Sequence, residues 1–162
     1  MGRGAAAVVT VLAAACNSTP PLANTRASAE ALAAAVLDAL ARGDRAALDG
    51  LALSEQEFRD HVWPDLPAAR PERNLPFSYV WGDLNQKSRN RLSATLRART
   101  GERYELQRVT FAGVTEYPTY KVHRDATFHV RDAAGAESEI RVCGSMMEKG
   151  GAWKVFSYVV DE

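Results

Sequence analysis

The sequence predicts an α+β domain, with helices in its first half and a four-stranded antiparallel sheet in its second. Two observations carry that expectation. Before Gly101 the apolar residues recur at helical spacing, and after it they alternate with polar residues at the two-residue period of a strand. Helices followed by a run of sequential strands is the α+β order.

The opening residues resemble an address and a tether rather than fold. Arg3 gives a short positive start, and residues 5–15 form an apolar run well short of the roughly 20 residues that span a bilayer. The stretch VTVLAAAC ends at Cys16 and resembles the lipobox of bacterial lipoproteins. That resemblance implies that the Cys16 thiol takes a diacylglycerol and becomes the N-terminus after cleavage. Ala13 stands where the motif usually has leucine, with Leu12 one place early. Two alternatives stay open: cleavage after residues 13–15 that leaves Cys16 free, and an Ala-rich helix belonging to the mature fold. NSTPPLAN follows, and its two prolines cannot enter a helix interior, which suits a spacer. The expected organisation is a signal peptide over 1–15, lipidated Cys16 and tether over 16–24, and one domain over 25–162. Such a chain is exported and held at the bacterial cell envelope by its lipid, or is periplasmic or secreted if the anchor is absent.

The first helix is expected over TRASAEALAAAVLDALARGD, where Leu32, Val36, Leu37 and Leu40 fall on one face and Gly43 is the stop. Asp44 caps a short helix, RAALDGL. A third begins at SEQEF, where Ser54 and Glu57 have the spacing of a capping box and Leu53 and Phe58 that of a hydrophobic staple. It should end at Trp63-Pro64, before a proline-punctuated loop. A fourth runs through FSYVWGDLNQKSRNRLSATLRART with Phe77, Trp81, Leu84, Leu92 and Leu96 on one stripe and Ser88 as its small member. The stripe predicts Trp81 and Leu84 buried on the sheet, and Gly82 predicts close packing at that point.

Four strand patterns follow: YELQRVTFAG, TYKVHRDATFHVRD, ESEIRVCGSMME and WKVFSYVVD, with turns at AAGA and KGG. In the second, Tyr120, Val122, Arg124, Ala126, Phe128 and Val130 should share one face, and His123, Asp125 and His129 the other. The last is partly apolar on both sides, with Trp153, Val155 and Val159 opposite Phe156, Tyr158 and Val160, as expected if helices cover one side and the second subunit of a homodimer the other.

Lys+Arg and Asp+Glu both number 20, a balance that argues against a nucleic-acid partner. The cationic set Lys87, Arg89, Arg91, Arg97 and Arg99 is better explained as a solvated helix face. Cys16 and Cys143 are the two cysteines, so acylation of the first leaves the second without a disulfide partner, and a strand position makes it a small buried hydrophobe.

The stretch LDALARGDRAALDGL and the closing WKVFSYVVD together resemble the nuclear-transport-factor-2-like superfamily, which includes SnoaL-like and cystatin-like folds. The resemblance implies a curved sheet wrapping a helix around a cone-shaped pocket. Residues 58–96, with their long helical middle, depart from it, and no enzyme signature of that superfamily maps onto this chain. Its members include isomerases, dehydratases, transport adaptors and assembly domains, so the fold does not name the activity.

No spacing in the chain asks for a metal or cofactor, and no catalytic residue is assigned. Pro64 breaks the helix between His61 and Asp65, while His123, Asp125 and His129 share their face with Lys121 and Arg131, as a solvated surface would. Arg124 is the anomaly, a charge at a position where core is expected. It would either pair with Asp83 or Glu148 or stand in the cone to hold a small anionic ligand. The candidate pocket is therefore Arg124, Tyr120, Phe128, Trp81 and Asp83. The expected role is non-catalytic ligand binding or protein interaction at the cell envelope. Two alternatives remain: a SnoaL-like acid–base enzyme with its site in the cone, and a homodimeric structural module.

Overall fold

A computed structural model describes residues 19–160; the segment 1–15 expected to be a signal peptide, and Cys16, lie outside the described residues. Helix α1 (Ala29–Arg42) starts where the Ser28 hydroxyl accepts the Ala31 N–H. It stops at Gly43, whose φ of 65° lets Gly43 and Asp44 donate back to the Leu40 and Ala39 carbonyls. Asp44 caps α2 (Arg45–Leu51) through the Ala47 N–H. Ser54 and Glu57 close a reciprocal capping box on α3 (Glu55–Glu57). The chain then widens into a π turn, Phe58–Val62, and tightens into three 3₁₀ turns, Trp63–Asp65, Pro67–Ala69 and Pro71–Arg73, each with a proline at its start. Helix α4 (Phe77–Arg99) follows.

The α+β class is as expected, but the strands divide further than their patterns suggest. Among the described residues there are seven, in two antiparallel sheets, rather than four in one. They are β1 (Tyr104–Thr110), β2 (Gly113–Glu116), β3 (Lys121–Arg124), β4 (Thr127–Asp132), β5 (Glu137–Ile140), β6 (Ser145–Lys149) and β7 (Ala152–Ser157). One sheet has the order β1-β4-β5 and the other β2-β3-β6-β7. The second and third predicted strands each break midway and change sheet, whereas the first pattern ends at Gly113, the residue where β2 begins in the other sheet. The second breaks at Asp125, whose φ of 56° ends the extended run. Aspartate is among the few side chains that adopt this conformation readily, and Arg141 Nη2 donates to its carboxylate at 3.1 Å.

The break redistributes one alternating pattern between two cores. Ala126, Phe128 and Val130 enter a cluster with Leu32, Val36 and Leu40 of α1, Leu48 and Leu51 of α2, and Met146 and Val155. Tyr120 and Val122 enter a second cluster with Phe58, Val62 and Met147, against which Phe77, Trp81, Leu84 and Phe156 pack. Phe58 sits among aromatic rings, with centroids 5.2 Å from Trp81 and 6.1 Å from both Phe77 and Phe156. The four-stranded sheet thus has core on both faces, and the two apolar sides of the last strand are each covered by this chain's own elements.

The tether is part of the fold from residue 20 onward. His61 Nε2 lies 2.8 Å from the Pro20 carbonyl oxygen, Leu22 packs on the second core, and the Ala23 N–H donates to Glu57 Oε1 at 2.8 Å. Arg26 pairs with the backbone of Trp153. Among the described residues no helix is long and apolar enough to cross a membrane.

Candidate functional site

Helix α4 follows its predicted stripe but is not buried along its length. Leu92 and Thr95 are buried, whereas Phe77, Trp81 and Leu84 are only half-buried. The difference lies at Ser88, the stripe's small member. Its hydroxyl accepts the Tyr158 N–H at 3.0 Å and leaves unfilled the space that a large side chain would occupy. A cleft of about 270 Å³ opens there, between the middle of α4, the α2–α3 corner and the end of β7.

Its floor is apolar, made by Trp81, Leu84 and Leu92 from above and Leu53, Phe156 and Tyr158 from below. Polar groups stand at the rim: Asn85, Ser88 and Arg89 on α4, Asp49 and Ser54 across from them. Asp49 is held by Arg45 at 3.5 Å. Arg89 is exposed, and its guanidinium makes no ion pair among the described residues; the neighbours one turn either side of it, Asn85 and Ser93, are neutral. The Tyr158 hydroxyl points away, donating to the Leu48 carbonyl at 2.6 Å, and burial pushes its pKa well above the usual tyrosine value. The cleft therefore offers an apolar floor and one uncompensated cation.

The five residues expected to share a pocket do not converge. Trp81 lines the cleft, but Asp83 is on the exposed side of α4, bound to Lys87 Nζ at 2.8 Å. Tyr120 is buried in the second core with its hydroxyl 3.3 Å from the Val62 carbonyl, and Phe128 is buried in the first. Arg124 is exposed, which corrects the expectation of a core position. It ends β3 immediately before the break, where the sheet changes, and its guanidinium lies over Gly113 of the neighbouring strand. Neither proposed partner reaches it, since Glu148 is taken by His123 at 2.8 Å. Gly82 is likewise exposed with nothing within 4 Å of the place a β-carbon would occupy, so close packing does not explain it.

The same break separates His123, Asp125 and His129 into three hydrogen-bonded sets. His123 is half-buried against Trp153, with ring centroids 4.5 Å apart, and against Phe111. His129 lies in the other sheet between Thr110 and Glu139, at 2.9 and 3.2 Å. Asp125 holds Arg141. None of the three lines the cleft. His61 and Asp65 also separate, the first to Pro20 and the second to the Thr119 N–H and hydroxyl. Cys143 is fully buried, and that burial pushes its thiol up to about 12, as an inert core residue.

Two features escaped the sequence pattern. Arg89 looks like its neighbours in a cationic run, and nothing local marks it as the one over the gap. Lys154 is 2% exposed, and its ammonium donates to both oxygens of Glu57 at 2.9 and 2.8 Å. Its place two residues before Phe156, on the same face of β7, was the available signal. Glu57 also accepts the Ser54 and Ala23 N–H groups, so the capping carboxylate is fully satisfied.

No family model matches the chain, and searches of curated proteins and of solved structures return no match.

Proposed function

We propose that this chain is an exported, Cys16-acylated lipoprotein whose domain, of nuclear-transport-factor-2-like architecture, binds a small amphiphilic anion without catalysis. The observation that carries the ligand reading is the cleft beneath α4, with Arg89 unpaired among the described residues at the rim of an apolar floor. Its volume of about 270 Å³ falls just below the usual range of ligand pockets, roughly 300–1,000 Å³, which favours a small, metabolite-sized compound. A non-catalytic role fits because Asp49, the carboxylate at the rim, is engaged by Arg45 and no histidine lines the cleft. Support for the architecture comes from helices followed by a four-legged meander whose legs bend midway. Support for the location comes from VTVLAAAC.

The test is thermal melting of the full chain carrying Cys16→Ser, with a panel of medium-chain carboxylates and phosphate monoesters. A ligand at a hundredfold excess over its Kd stabilises a single-site protein by about 2.7 kcal/mol, an easily measured rise in Tm. Arg89→Ala should abolish that rise, and Arg97→Ala, on an exposed part of the same helix, should leave it. A panel without any hit, or a rise that survives Arg89→Ala, refutes the reading.

A further inference from the structure

The acylation of Cys16, on which this inference rests, places a geometric limit on the domain. The chain is pinned to the fold at Pro20 by His61, so the four residues from Cys16 span at most about 14 Å. The end of the domain carrying the π turn must lie close to the lipid. That end also carries unusual surface. Only three large hydrophobic residues are exposed among those described, Leu75 at 41%, Tyr79 at 66% and Val114 at 46%, and the first two flank the start of α4. One contact sets the start of α4 beside the pinned site: Trp63, two residues beyond His61, meets the Phe77 ring edge-on at 5.5 Å, and Phe77 lies midway in sequence between Leu75 and Tyr79. On the adjoining 3₁₀ turns Arg70 and Arg73 are exposed and make no ion pair among the described residues; Glu72 is the one acidic residue between them.

We infer that this end of the domain rests on an anionic phospholipid surface, with Leu75 and Tyr79 in the interfacial layer and Arg70 and Arg73 against the phosphates. The chemistry matches the partner at each position. Tyrosine favours the headgroup level, where its ring is shielded and its hydroxyl stays wet. Arginine meets phosphate with a bidentate fork and adds attraction to an anionic leaflet. A lipid anchor with so short a reach raises the effective concentration of the surface at this patch, so weak contacts suffice. The cleft beneath α4 opens farther along the same helix, at Leu84–Arg89, and is left free for ligand.

The test uses the acylated full chain reconstituted into vesicles of phosphatidylethanolamine and phosphatidylglycerol. Nitroxide labels are placed by Leu75→Cys, Tyr79→Cys and, on the β4–β5 turn of the three-stranded sheet, Ala134→Cys. All three positions are exposed, and Cys143 is buried, so neither folding nor labelling is compromised. On reconstitution the labels at 75 and 79 should gain collisions with oxygen and lose collisions with a water-soluble nickel chelate, shifting the ratio several-fold. The label at 134 should not change. Protein that floats with the vesicles while the label at 79 stays as wet as that at 134 overturns the docking inference and leaves acylation standing. A label at 79 shielded from both reagents, with new coupling between copies, also overturns it, in favour of a self-contact. Protein that does not float at all refutes acylation, and this inference with it.

Discussion

Gly144 donates its N–H to the Ser157 carbonyl and accepts that of Ala126, and a β-carbon built on it would lie 1.5 Å from the Val159 carbonyl oxygen. No side-chain rotation relieves that contact, because both partners are backbone. Gly144→Ala should cost about 3 kcal/mol in a denaturant melt, at the upper end of overpacking penalties. The same substitution at Gly82, helical and open to solvent, should instead stabilise by about 1 kcal/mol. Opposite signs for one chemical change separate packing from propensity; a loss at Gly82, or none at Gly144, contradicts this account. Glu57 gives a second residue-scale prediction. Burial acts to raise its pKa, and hydrogen bonds from Lys154, Ser54 and Ala23 outweigh it, so the carboxyl titrates below its ordinary 4.5. A lowered folded-state value means stability present above pH 4.5 and lost as pH falls through the folded-state pKa. Urea midpoints should therefore decline on acidification through that window. Glu57→Gln should be less stable at neutral pH and show a flatter decline, and an equal slope in both proteins would contradict the assignment.

At the scale of elements, α4 behaves as two helices of different depth. Leu92 is 1% exposed and packs into the first core, while Leu84 is half-buried at the cleft. Leu92→Ala should cost about 2–5 kcal/mol and Leu84→Ala distinctly less, since solvent already reaches that side chain. Equal losses would mean that the cleft is closed in solution. The helices were legible because their signals are local: Gly43 stops α1, and Asp44 and the Ser54–Glu57 pair each cap the turn they immediately precede. The strand interruptions were not. No glycine or proline marks Asp125, and the one irregularity in the alternation of Tyr120, Val122, Phe128 and Val130 is Arg124, which reads as a charge in the core rather than as the end of a strand. Period alone cannot say that one half of a leg faces a different core from the other.

For the whole molecule, the class and the order of the legs could be read from the change of period, whereas the site could not. A cleft exists where a small residue on one helix meets the end of a strand seventy positions later, as Ser88 meets Tyr158. Arg89 gains its significance only from that meeting. The same long-range closure recurs at the other end of the chain. Arg26 pairs with Trp153, Leu53 donates to Val155, and Glu57 is completed by Lys154, so the N-terminal segment and the α2–α3 corner are both fastened to β7. Among the described strands β7 comes latest in chain order, so none of these contacts forms until it pairs. Docking of that one strand is what completes Glu57 with its lysine and ties residues far apart in the chain into one closed unit. Loss of β7 would strip Arg26 and Leu53 of their backbone partners and leave the Glu57 carboxylate without Lys154.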